Sequence, residues 1–420
     1  MISAHADVVG SLLRPPELLE AQTRYAAGGM SAADFKAVED RAVDWALGLQ
    51  ERAGMPVVTD GEMRRESFQS QLVEAVEGFA GHTLDAWLWG EWHGDEAVGD
   101  KTTERPATLG VVGKLRRRRH LSVEEFVYAR SRTDRTIKVT LPSPSMYANL
   151  WSPELSTEAY PTLDLFLEDV AGILREEVEE LARLGATYIQ LDAPHYPLLL
   201  DPKTREFYER RGWDLDRWLS RGIELDNHVI GDHPGVTFAF HLCRGNQGSR
   251  WLVSGSYEPL ARRVFGGIRA ERLMLEYDDE RSGGFEPLAH VPEDKVAVLG
   301  LVTTKTPRRE TPEELEARIR EAANYVPLER LALSPQCGFA TSVIGNAISV
   351  EDEERKLRVI SETADRVWGE ASLAYAAPPA SRRLAEPGRP RAATARRRCL
   401  AGWISRRTRS PAPCRTPPPK

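Results

Sequence analysis

Val236-Thr237-Phe238-Ala239-Phe240-His241-Leu242 is a short β-branched and aromatic run that stops at Cys243-Arg244-Gly245-Asn246. Its length and composition fit a buried strand rather than a helix. Seven further runs of the same kind punctuate the chain: 6–11, 56–59, 136–141, 187–191, 272–277, 296–302 and 330–334. Between them lie segments of helical period, such as 163–184 and 312–325, and Thr311 with Glu314 spells a capping box in front of the second. Eight strand-like runs joined mostly by helices predict an α/β fold, a single (β/α)8 TIM barrel, over an open doubly wound sheet.

Two segments fall outside this repeat. The first is a long insertion after the second run, about 78–135, holding Trp87, Trp89, Trp92 and the basic stretch Arg116–His120. A connection of that length is usually functional or folded in its own right, which predicts a hairpin and lid beside the barrel mouth. Its arginines could grip an anionic substrate tail or form a solvated face. The second is 375–420, rich in Pro, Arg, Ala and Ser, where twelve basic residues stand against Glu386 alone although the whole chain carries a formal −7. That composition predicts a disordered basic tail behind a barrel domain of residues 1–374.

Hydrophobic residues make up 41% of the 420 and charged residues 28%, a balance that excludes a membrane or wholly disordered chain. The N-terminus lacks the basic-then-apolar pattern of a secretory leader, so the expected compartment is the cytoplasm. An acidic body argues against nucleic-acid partners. Of four cysteines, Cys399 and Cys414 lie in the tail, leaving Cys243 and Cys337 in the body. In a reducing compartment two such thiols suggest metal or catalysis before a disulfide.

The fifth run carries the chemistry. In a strand, side chains at i and i+2 share a face, so His241 and Cys243 project together. Barrel enzymes collect reactive groups at the C-terminal ends of their strands. Glu276 ends the sixth run and Cys337 follows the eighth, so three separate rim segments each deliver a metal-ligating side chain. Two thiolates, an imidazole and a carboxylate suit tetrahedral zinc. Exchanging the carboxylate for a substrate thiol would keep the charge balance and force that thiol to deprotonate. A purely structural zinc remains the alternative, although the chain has no Cys-x-x-Cys pair.

These motifs, Glu276-Tyr277-Asp278-Asp279-Glu280-Arg281, His241-Leu242-Cys243-Arg244-Gly245-Asn246 and Ser334-Pro335-Gln336-Cys337-Gly338-Phe339, resemble the zinc-binding motifs of the cobalamin-independent methionine synthase family, in its short single-barrel branch. The resemblance covers most of residues 1–370 and implies one zinc per chain, held by His241, Cys243, Glu276 and Cys337. It further implies homocysteine as substrate, with its carboxylate on the Val9-Gly10-Ser11 loop and its ammonium on Glu62 and Asp192. Trp151 falls near the position where the family stacks a pterin, and Arg14 is a rim candidate for an anionic group. The family's Asp-Glu pair is here Asp192-Ala193, and the His thought to protonate the leaving amine is replaced within Val302-Thr303-Thr304-Lys305. His195 is the candidate for that catalytic acid role.

The expected activity is zinc-dependent methyl transfer from 5-methyltetrahydrofolate, with or without a polyglutamate tail, to homocysteine. The alternatives are alkyl transfer involving coenzyme M or a methylcorrinoid protein, and a non-catalytic zinc- or thiol-binding protein. The oligomeric state is left open by the sequence.

Overall fold

The computed structural model describes residues 2–80, 90–94, 101–103 and 109–369. In chain order its strands are β1 (Val57–Val58), β2 (Val76–Phe79), β3 (Gly90–Trp92), β4 (Lys101–Thr103), β5 (Val111–Arg117), β6 (Thr136–Pro142), β7 (Tyr188–Asp192), β8 (Thr237–Leu242), β9 (Arg272–Glu276), β10 (Val296–Val302) and β11 (Leu331–Pro335). Seven of them, β1-β6-β7-β8-β9-β10-β11, form one sheet with parallel pairing throughout.

The first predicted run is an eighth position on this sheet but not a full strand. Ala6 bridges Leu333 of β11 in parallel, with Asp7 N donating to Leu333 O at 2.9 Å and Leu333 N to His5 O at 2.7 Å. Beyond that point the segment's carbonyls are claimed from inside the barrel, Val8 O by the Lys138 ammonium and Val9 O by Gln190 Nε2. On its other side, Leu12 N donates to Gly61 O at 3.1 Å, in the loop after β1. The sheet is therefore curled into a TIM-barrel-like form, closed between its first and second positions by loop bonds.

The barrel floor holds a polar cluster that the runs' apolar character conceals. Asp7, fully buried, accepts the Tyr188 hydroxyl at 2.6 Å and lies 2.6 Å from Lys138 Nζ and 3.2 Å from Arg272 Nη2. A buried carboxylate is tolerated because each lone pair has a partner.

Outer helices follow their sequence signals. Leu163–Arg183 is capped by Thr162, whose side chain accepts from Leu165 N, and it buries Phe166, Leu167, Val170, Leu174, Val178 and Leu181 at helical spacing. The capping box before Pro312–Ala322 forms as predicted, with Thr311 and Glu314 each bonding the other's backbone N–H. Thr311→Ala should therefore cost about 1 kcal/mol of stability, read as a lower urea midpoint with unchanged slope.

The insertion does contain hairpin pairings. β2 pairs antiparallel with β5 and β3 with β4, and His93 bridges Trp251 in the loop after β8. Trp87 and Trp89 lie outside the described residues. The basic stretch does not line the cavity described below: Arg117 pairs with Glu176 at 2.8 Å, Arg119 with Glu74 at 3.5 Å, and Arg116 with Glu77. Contacts divide the chain into Met1–Ala376 and Ala377–Lys420, and the predicted tail lies outside the described residues. No helix among the described residues is long and apolar enough to cross a membrane.

Candidate functional site

A cavity of about 380 Å³ opens at the C-terminal ends of the strands. Val9, Ser11, Glu62, Asp192, His195, His241, Cys243 and Cys337 line it, so most of the predicted site residues meet there.

At its floor the ligating atoms of His241, Cys243 and Cys337 all lie within 4.8 Å of one another, a spacing one ion can bridge. Both cysteines are buried free thiols. The hydrogen bond between them draws Cys243 down to about 7 and pushes Cys337 up. His241 is fixed by Asp192, whose Oδ1 takes the Nδ1 proton at 2.9 Å. That bond leaves Nε2 as the lone-pair nitrogen, and Nε2 is buried with no hydrogen-bond partner among the described residues. A metal-ligating histidine held by a carboxylate on its other nitrogen has this arrangement. Removing the hold by Asp192→Asn should weaken metal affinity about 10- to 100-fold, measured by competition with a chelator.

Glu276 stands next to this cluster without joining it. Arg244 N donates to its Oε2 at 2.9 Å, while Oε1 lies 3.2 Å from Arg281 Nη2 and 3.9 Å from Lys305 Nζ. Burial alone would raise its pKa, but Lys305, Arg281 and Arg244 together hold it below the usual value, so it stays anionic. Oε1 makes no hydrogen bond despite being buried. An imidazole nitrogen without a hydrogen bond beside two thiols, with the ion-paired Glu276 carboxylate next to them, is a donor set that fits a divalent metal of zinc's preferences.

Above this floor, Glu62 is 2% exposed and adopts φ +57°, a conformation uncommon for a residue with a side chain. Its Oε1 accepts from Thr140 Oγ1 at 2.8 Å, and its Oε2 is buried without a partner. Burial, aided by Asp192 and opposed by Arg65, raises its pKa to about 7. Gly10 permits this placement, since a Cβ there would sit 2.8 Å from Glu62 Oε1. A Cβ on Gly338 would likewise strike the Ser11 hydroxyl, at 2.0 Å. The Val9-Gly10-Ser11 loop thus lies tightly between the Glu62 carboxylate and the Cys337 segment.

Two predicted residues are not where the sequence reading put them. Arg14 does not face the cavity; its buried guanidinium donates to the carbonyls of Leu12, Ala340, Glu62 and Arg65, tying the rim loops together. Trp151 is buried outside the cavity with Nε1 bonded to Tyr160 O at 2.9 Å, so no pterin can stack on it. The indole on the cavity wall is Trp92, from β3 of the insertion, with Met146, Leu198, Phe207 and Tyr208 as further apolar lining. His195 does line the cavity, and burial lowers its pKa to about 3, so its ring is neutral.

Comparison with known proteins agrees with this geometry. The family model described as the catalytic domain of cobalamin-independent synthase matches residues 5–352. The chain belongs to the cobalamin-independent methionine synthase family. It is 34% identical over 366 residues to Bacillus subtilis YxjH, covering 86% of this chain and 94% of that one. With the methionine synthase of Pyrococcus abyssi it shares 28% over 334 residues, 79% of this chain and 85% of the relative. A B12-independent methionine synthase structure from Shewanella sp. W3-18-1 has the same fold, with a TM-score of 0.67 at 22% identity, over 88% of this chain and 99% of that one. As a member of this family the chain is a methyltransferase.

Proposed function

We propose that this family member transfers a methyl group from 5-methyltetrahydrofolate, with or without a polyglutamate tail, to the thiol of homocysteine, giving methionine, and that it does so with one zinc per chain in the cytoplasm. The observation that carries the reading is the convergence of His241, Cys243 and Cys337 within 4.8 Å, on the floor of the cavity that also holds the Glu62 carboxylate.

His241 through Nε2, Cys243, Cys337 and Glu276 would hold the zinc. When bound, it would turn a thiol into a thiolate nucleophile at neutral pH. The protein's own groups do the rest. Glu62, with an unpartnered oxygen, and Asp192, on the cavity wall, meet the ammonium of the amino acid, and the Val9-Gly10-Ser11 loop meets its carboxylate. Asp192 has a second duty in orienting His241. Fixing both ends of the amino acid points its thiol at the cavity floor, and the loss of rotational freedom before reaction is a large share of what such a site contributes. The apolar wall of Trp92, Met146, Phe207 and Tyr208 suits a flat aromatic donor and keeps water from the transferring methyl group.

The test is methionine formation by purified protein with zinc and homocysteine, offered 5-methyltetrahydrofolate, its triglutamate, or a methylcorrinoid in turn. Turnover with either folate supports the proposal. Turnover with the corrinoid alone replaces the donor, in keeping with the absence of a histidine from Val302-Thr303-Thr304-Lys305, because a cobalt leaving group needs no proton.

A further inference from the structure

Behind His195 a buried chain of hydroxyls leads away from the cavity to a carboxylate the site does not otherwise use. His195 Nε2 lies 2.9 Å from Ser145 Oγ, Ser145 Oγ 3.2 Å from Ser143 Oγ, and Ser143 Oγ donates to Asp226 Oδ1 at 2.6 Å. The other oxygen, Oδ2, takes the Tyr196 hydroxyl at 2.6 Å, and Tyr196 in turn touches Ser145. Asp226 is 0% exposed, and every other member of the chain is buried as well. His195 lines the cavity, and its Nδ1, the ring nitrogen that Ser145 does not engage, has no hydrogen-bond partner among the described residues. Tyr196 is the ionisable neighbour of Asp226 among the described residues, and no charged side chain perturbs either Asp226 or His195.

The chain has two directions. With Asp226 ionised, Ser143 donates to it, Ser145 to Ser143, and His195 Nε2–H to Ser145, leaving Nδ1 as a bare acceptor. With Asp226 protonated, the donors reverse, Ser145 donates to Nε2, and the ring proton sits on Nδ1, the nitrogen left free for a substrate.

We propose that Asp226, Ser143, Ser145 and His195 form a proton relay that delivers a proton to the leaving nitrogen of the methyl donor. As the S–CH3 bond forms and the CH3–N bond breaks, the electron pair stays on nitrogen, which takes the Nδ1 proton of His195. Nε2 then receives the Ser145 proton, Ser145 that of Ser143, and Ser143 that of Asp226, which is left a carboxylate until solvent reprotonates it. The ring is neutral before and after, which suits a histidine whose burial disfavours the imidazolium. Burial also raises Asp226 to about 7, so a proton is available to the relay at neutral pH. His195 is the catalytic residue, and Asp226, Ser143 and Ser145 act through it. The last step rests on the methyl-transfer reading above; the relay itself does not.

Two measurements on the zinc-loaded, full-length protein test it. In 15N spectra of labelled histidines, with the His195 signal assigned by its loss in His195→Gln, wild type should pass from the Nδ1–H tautomer below about pH 7 to Nε2–H above it. Asp226→Asn should hold Nδ1–H throughout, because Tyr196 occupies the amide oxygen and the amide NH2 faces Ser143. In turnover with the folate donor, Asp226→Asn should lower kcat by about 100-fold, a typical share for general acid catalysis, and remove the fall in kcat on the alkaline side, with zinc content and the homocysteine KM unchanged. A tautomer that ignores both pH and the substitution overturns the relay. So does a tautomer switch with an unchanged kcat, or a kcat loss that comes with lost zinc or a raised KM. If wild type fails to use the folate, the donor assignment falls and the tautomer measurement alone decides the relay.

Discussion

Cys337→Ala should yield a folded protein that retains less than about a tenth of the wild-type zinc and forms no methionine above background. The binding free energy of a protein zinc site is shared among about four ligands, so removing one takes a large part of an affinity of about 10–16 kcal/mol. Cys337 is 2% exposed and comes from the loop after β11, whereas His241 and Cys243 lie at the end of β8, so no neighbour on its own segment can substitute for it. His241→Ala should behave alike. Circular dichroism of each variant separates metal loss from unfolding: a native spectrum with wild-type zinc content would remove the residue from the ligand set.

Glu62→Gln should raise the homocysteine KM by roughly 30- to 800-fold, equivalent to about 2–4 kcal/mol for losing the charge of one partner in a buried ion pair. Zinc content should stay at the wild-type level. The pH dependence follows from the raised pKa of about 7 in the empty site. Only the carboxylate attracts an ammonium, so wild-type affinity should rise as pH increases from 5 through 7 and then level off. In Glu62→Gln the same titration should be flat. A KM that matches wild type, or a variant whose pH profile keeps the rise, would place the ammonium elsewhere.

How far the sequence carries can be seen at particular residues. Each predicted run became a strand or, for 6–11, a bridge, because buried strands advertise themselves through continuous β-branched and apolar composition. The pairing of His241 with Cys243 was legible from the period of a strand, and their meeting with Cys337 from the rule that strand ends converge. Glu276 was legible as a rim acid, but its partners were not: Arg281 and Lys305 are brought against it by the fold. Arg14 and Trp151 misled for a common reason. A guanidinium or indole near a mouth can face the ligand or the rim backbone, and only the positions of Ala340 O and Tyr160 O decide which. Trp92 reaches the cavity through the insertion's strand pairings, and the Asp226 relay joins residues of two α-helices with a loop and the 3-10 helix after it. The hairpin beside the mouth was legible from the length of the insertion, whereas the relay has no local sequence signature.

The proposed chemistry follows from one zinc ion on two thiolates at the floor of the cavity. X-ray absorption at the zinc edge, with elemental analysis of the full-length protein, tests it most directly. The expected result is about one zinc per chain with two sulfur and two nitrogen or oxygen neighbours. A protein that takes up no zinc, or zinc surrounded by nitrogen and oxygen alone, would contradict it.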